Sequence, residues 1–230
     1  FSTEQMDEGF ACIQANTGIR DVILTGCAPL LLNDDRLEDL LVRRHGIPHV
    51  EMIRIGSRVP VTLPQRITPK LCAMLARFHP LYLNTHFNHP REIVEASVNA
   101  CARLADAGIP LGNQTVLLRG VNDDPQVMID LCRGLLKMRV RPYYLHHLDQ
   151  ARGTAHFRVP VERGLEILAA MRGQVSGLGI PQYVVDPPGG EGKVPLLPEN
   201  LLEMGDTIKV RTAGGVVELP NQSLPASCRL

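Results

Sequence analysis

The sequence predicts an α/β fold built on a parallel sheet, and three observations predict it. Short apolar runs recur about every thirty residues, the length of one βα unit. The segments between them carry apolar residues at helical spacing. Cap-type residues stand where those helices should begin.

The apolar runs occupy residues 21–25, 51–55, 81–85, 111–118 and 140–145. Leu37, Leu40 and Leu41 share one face of the first intervening helix, and Leu71, Met74 and Leu75 one face of the next. Cys101, Leu104 and Ala105 do the same, as do Leu131, Leu135 and Met138. Asn33-Asp34-Asp35, Thr68-Pro69 and Asn122-Asp123-Asp124-Pro125 supply the start signals, because a side-chain oxygen there accepts from the free N–H groups of the first turn. A further helix is expected after Val159, ending near Gly173. A strand at 182–186 follows, and the tail at 207–219 reads as a hairpin turning at Ala213-Gly214-Gly215.

Repeated βα units form a barrel or a doubly wound sheet, and both gather reactive groups at the C-terminal ends of the strands. The residues expected at that rim are Gly26-Cys27-Ala28-Pro29, Ser57-Arg58, His86-Phe87-Asn88-His89, Gln114, Asp149 and Asp186. His146 and His147 are adjacent on a strand and so face opposite sides, which makes them poor co-ligands. No metal site is expected from them, from His89 or from His156.

Composition narrows the function. Lys plus Arg equals Asp plus Glu, 24 each, so no basic surplus points to nucleic acid. No apolar run approaches the roughly 18 residues of a membrane span, and Phe1-Ser2-Thr3-Glu4-Gln5 does not read as a signal peptide. Six scattered cysteines form no CxxC or CxxxCxxC pattern, so free thiols in a reducing cytoplasm are expected.

The densest chemistry lies in Asp186-Pro187-Pro188-Gly189-Gly190-Glu191-Gly192-Lys193. An apolar strand, Tyr183-Val184-Val185, ends in an acid; glycines let the backbone turn; one amine is delivered to a fixed place. Such an amine suits Schiff-base chemistry, for which pyridoxal phosphate (PLP) is the usual aldehyde. A phosphate-binding Walker loop is excluded, because Pro187 stands where it needs Gly and Val194 where it needs Ser or Thr. A lysine on a plain surface turn is the competing reading, and this segment does not choose between the two.

Longer strings do. Ile47-Pro48-His49-Val50, 63–69, 83–90, Gly112-Asn113-Gln114, 116–123, Pro142-Tyr143-Tyr144, His156-Phe157-Arg158 and the Lys193 loop together resemble the lysine 2,3-aminomutase family of radical S-adenosylmethionine enzymes. The resemblance implies a partial (β/α)6 barrel at 1–180, lacking its first unit and cluster loop. Residues 181–230 would add the strand, the PLP-lysine loop and the hairpin tail on the same domain. It implies an isomerase that exchanges L-lysine and β-lysine, with Lys193 holding PLP and a 4Fe-4S cluster cleaving S-adenosylmethionine. Gly26, His86 and Gln114 would contact S-adenosylmethionine. Asp149 and Asp186 would grip the side-chain ammonium of lysine, where glutamate-specific relatives carry Lys and Asn. A small amino acid is the expected partner, with no nucleic acid or membrane, and a homo-oligomer is expected.

Two departures accompany the resemblance. Cys27-Ala28 replaces the family's Gly-Asp, which removes a carboxylate acceptor for an ammonium. The family's CxxxCxxC is not in this sequence, so the 230-residue chain alone is expected to be inactive, and it reads as truncated. Two alternatives stay open: a degenerate homologue that binds PLP or an amino acid without catalysis, and the related enzyme making β-lysine for translation-factor modification.

Overall fold

The computed structural model describes residues 3–26, 29–149, 151–187, 192–197, 200–205, 207–212 and 215–220. Helix α1 (Thr3–Ala15) leads into strand β1 (Asp21–Leu24). The βα beat then runs α2 (Asp34–His45), β2 (Met52–Gly56), α3 (Val59–Thr62), α4 (Pro69–Leu75), β3 (Leu81–Thr85), α5 (Glu95–Asp106), β4 (Leu111–Val116), α6 (Pro125–Lys137), β5 (Val140–His146), α7 (Val161–Met171) and β6 (Gln182–Val185). The expected caps are present. Asn33 accepts from Arg36 N–H, Thr68 from Leu71 N–H, and Asp124 from the N–H groups of Gln126 and Val127.

β1 to β6 lie side by side in chain order and are all parallel. Sequential order with right-handed crossovers sends every helix to one face of the sheet. That face holds the core: Ile53, Ile55, Leu81, Leu83, Leu111, Val140, Leu145 and Tyr183 pack against helix residues including Leu37, Leu71, Leu104, Leu131 and Ile167. The opposite face curls inward as half a barrel, and it is polar. The register sets Arg54 beside Tyr82, Gly56 beside Asn84, and Tyr144 between Gln114 and Gln182.

Strand β7 (Val194–Pro195) closes the sheet antiparallel to β6. Beyond it, β8 (Leu201–Met204), β9 (Thr207–Thr212) and β10 (Gly215–Pro220) form a separate antiparallel sheet. The expected tail hairpin is the β9–β10 pair, its turn at Ala213-Gly214 lying outside the described residues. β7 and β8 were not legible in the sequence, being too short or too irregular in alternation to announce themselves. The thiols of Cys72, Cys101 and Cys132 are buried and free, while Cys12 is exposed and free. Burial pushes the Cys101 and Cys132 thiols up to about 12, which leaves them inert. Among the described residues no helix is long and apolar enough to cross a membrane.

Candidate active site

The hairpin between β6 and β7 builds the first part of the site. Val185 pairs with Val194, which sets the next residues outward, Asp186 and Lys193, opposite each other. Lys193 Nζ donates to Asp186 Oδ2 at 2.9 Å, with the two side chains 34% and 40% exposed. The hydrogen bond from Lys193, and then its charge, hold the Asp186 carboxyl below the usual aspartate value. Gly192, directly before Lys193, has φ +81°, a left-handed conformation that glycine adopts without strain. Residues 188–191 lie outside the described residues.

A bulge in β5 builds the second part. Asn113 pairs with Pro142 and Gln114 with Tyr144, so Tyr143 is an extra residue on its strand. One inserted residue reverses the faces of everything after it. Tyr143 and Tyr144 therefore stand together at the concave side, rings 4.3 Å apart, and Gln114 donates its amide to the Tyr143 hydroxyl. Gly112 makes room, since a Cβ there would lie 2.6 Å from Asn84 Oδ1 and 3.0 Å from the Tyr143 ring.

The same reversal puts His146 inside and His147 outside. His147 Nδ1 bonds the Tyr183 hydroxyl at 2.8 Å on the helix side. His146 pairs in register with Val116 and Val184 on the concave side. Its imidazole is pushed below the ordinary histidine range by burial, then by the charges of Lys193 and His86, while Asp149 and Asp186 pull the other way. Lys193, His86, Asp149 and Asp186 thus all act on one side chain. Its Nε2 is buried and has no hydrogen-bond partner among the described residues. Sequence reasoning set His146 aside as a poor metal ligand; only the bulge, invisible in composition, could have singled it out.

The remaining expected residues are also at this rim. His86 follows β3, and its imidazole is pushed below the ordinary histidine range by burial, then by the charge of Arg58. Its loop is anchored from behind by buried Asn113, whose Oδ1 accepts from Phe87 N–H at 2.7 Å and whose Nδ2 donates to Phe87 C=O at 3.0 Å. Gln114 lies on the concave face but its amide is engaged by Tyr143. Gly26 has φ +93°, which favours glycine at that turn, and Cys27-Ala28 lie outside the described residues. Asp149 is exposed in the loop after β5.

These residues fit a PLP-type aldehyde in one respect: a partly exposed amine with an acid beside it. For S-adenosylmethionine, the described residues supply one glycine turn and two polar side chains, which alone make no cradle. Among the described residues no group of three or more His, Cys, Asp or Glu is placed to hold a metal ion.

The curled sheet with its helices on one face is a fold shared with solved structures. SuiB of Streptococcus suis, solved bound to S-adenosylmethionine, superposes with a TM-score of 0.57 at 8% identity over 79% of this chain and 43% of its own. A radical SAM methyltransferase from Sphaerobacter thermophilus gives 0.52 at 18% identity over 73% and 50%. Residues 168–222 match the family model described as lysine-2,3-aminomutase. The chain is 49% identical to the L-lysine 2,3-aminomutase of Fusobacterium nucleatum over 93% of its length, and 51% identical to that of Clostridium subterminale over 93%. It is 50% identical to the glutamate 2,3-aminomutase of Clostridioides difficile over 92%. The chain belongs to the lysine 2,3-aminomutase family. It spans about half the length of these curated relatives, 50% to 52%.

Proposed function

We propose that this protein is an isomerase that interconverts L-lysine and β-lysine by moving an amino group between C2 and C3. PLP on Lys193 and S-adenosylmethionine with a 4Fe-4S cluster would be its cofactors, and the cytoplasm its compartment. The observation that carries the reading is the Lys193–Asp186 pair at 2.9 Å, set face to face at the loop end of the β6–β7 hairpin.

Overall identity does not separate lysine from glutamate as substrate, because relatives of both names stand near 50%. The acid pair favours lysine. A desolvated ammonium needs negative charge beside it. One such contact at 4 Å is worth about 1 kcal/mol in water and about 4 kcal/mol at an effective dielectric near 20. A second carboxylate on the substrate would gain no such contact from Asp149 or Asp186.

PLP supplies, when bound, an aldehyde carbon that joins amines and a conjugated ring that spreads charge or an unpaired electron. Lys193 offers the amine that holds it. Asp186 accepts a hydrogen bond from that amine and keeps its proton local. Asp149 and Asp186 orient the far end of the amino acid. Tyr143, fixed by Gln114, forms part of the wall on which the ligand lies. His86 and Gln114 are assigned to S-adenosylmethionine along with the Gly26 turn. The given residues do not supply the ligands of a 4Fe-4S cluster, and the 230-residue chain by itself is proposed to be inactive.

One observation favours a second reading. Cys27-Ala28 in place of Gly-Asp suits a homologue that binds PLP or an amino acid without radical chemistry. The decisive experiment is product analysis of the complete protein with PLP, S-adenosylmethionine and a reductant, on L-lysine and on L-glutamate. β-Lysine formation lost in Lys193→Ala is the expected result. Turnover of glutamate in preference, or PLP binding with no turnover of either, would replace this reading with glutamate isomerisation or with the second reading.

A further inference from the structure

Asp186 differs from the acids that hold this fold together. Glu92 takes the N–H groups of Asn88 and His89 on Oε2 and the Arg58 guanidinium on Oε1. Asp124 accepts from the N–H groups of Gln126 and Val127 at the start of α6. Such carboxylates are fixed in place by backbone donors. Asp186 accepts no backbone N–H among the described residues; what it accepts there is the ammonium of Lys193, at 2.9 Å. Val185 pairs with Val194, and each is followed, toward the loop, by one half of this ion pair. The carboxylate is therefore held by a single partner, and that partner is the amine of the site.

An ammonium offers three N–H donors. When it condenses with an aldehyde, a carbon–nitrogen double bond forms. Two of the three hydrogens leave with the carbonyl oxygen as water, and the third stays on the nitrogen or passes to solvent. In a pyridoxal-type aldehyde a ring oxygen lies beside that nitrogen and takes any proton that stays. A nitrogen bonded in this way has nothing left to donate to Asp186.

We infer that Asp186 serves two ammonium groups in turn: that of Lys193 while its amine is free, and that of the substrate side chain once Lys193 is bonded to an aldehyde. Loading the site thus switches on its grip on lysine. The inference rests on the readings of Lys193 as the aldehyde's amine and of Asp186 as a substrate carboxylate, and it adds the order in which the carboxylate is used.

The test is calorimetric titration of the complete protein, free of PLP, with L-lysine and with L-norleucine, which is lysine without its side-chain amine. Both side chains of the pair are partly exposed, so neither substitution disturbs the core. Lys193→Met frees Asp186 and should bind lysine about two- to fivefold more tightly than the wild type, the yield of a partly exposed ion pair, with no gain for norleucine. Adding Asp186→Asn to Lys193→Met should cancel the gain, which separates release of the carboxylate from mere removal of a positive charge. A Lys193→Met protein that binds lysine no better than the wild type, or not measurably, overturns this inference alone, as does a gain that survives Asp186→Asn. Lysine affinity unmoved by Asp186→Asn with or without Lys193→Met overturns the substrate reading of Asp186 as well. A wild-type protein that shows no Lys193-dependent absorbance band at roughly 420 nm with PLP overturns the PLP reading and the loading step together.

Discussion

Lys193 and Asp186 face each other across the two-strand hairpin of β6 and β7, joined at 2.9 Å. The carboxylate proposed to seize an incoming ammonium is therefore already engaged by the resident one. Asp149 is exposed, and no ion pair takes it up among the described residues. The two acids are thus not equivalent, although their sequence contexts suggest equal roles.

This inequality separates the two carboxamide variants. In the complete protein, Asp149→Asn should raise the KM for lysine about 10- to 100-fold, as expected for a lost charged hydrogen bond, and leave PLP affinity unchanged. Asp186→Asn should raise the KM similarly and also alter PLP affinity, because it removes the partner of Lys193. Steady-state kinetics and PLP titration read both. Wild-type KM values in the two variants would remove the carboxylates from substrate binding.

The imidazoles set an acid limit. His86, His146 and His147 are all held below their ordinary value of 6.5, with burial the first cause in each. A depressed folded value means that the unfolded chain binds more protons as pH falls. The associated stability is present above pH 6.5 and is lost as pH drops through the folded values. Urea midpoints measured from about pH 7 to about pH 5 should fall steadily. His86→Phe should make that fall shallower, by up to one proton; an unchanged slope would show that His86 is not depressed in the folded state.

Buried Asn113 determines where His86 stands. Its amide closes both the N–H and the C=O of Phe87 and donates to Thr115 Oγ1 at 2.8 Å. Asn113→Leu keeps the volume but strands the Phe87 N–H. Unfolding by urea should show a loss of about 1–3 kcal/mol, and amide exchange at Phe87 should quicken. A neutral substitution would mean that the loop after β3 is held by other contacts.

Gly164 in α7 lies against the ring of Tyr183, where a Cβ would come within 2.5 Å of the phenol oxygen. Tyr183 is fully buried and bonds His147. Gly164→Ala gains helix propensity but overfills this contact, so a net loss of about 1–3 kcal/mol is expected in thermal or urea unfolding. Tyr183→Phe should cost about 1 kcal/mol by itself and should partly relieve the alanine variant. Additive losses in the double variant would show that the two residues do not press on each other.

The sequence by itself determined the repeating βα order, the helix starts at Asn33, Thr68 and Asp124, the core faces of the helices, and the strand–glycine–lysine loop ending at Lys193. These are local properties: capping, periodicity and glycine freedom act over a few residues, so they can be read from a few residues. Only the tertiary structure decided that Lys193 lies against Asp186, and that His146 rather than His147 enters the site. Both depend on register. The pairing of β6 with β7 sets the first, and one extra residue at Tyr143 opposite β4 sets the second. Strand alternation predicts that neighbouring histidines point apart, but which of them points inward follows from the partner strand, and the sequence of β5 alone does not contain it.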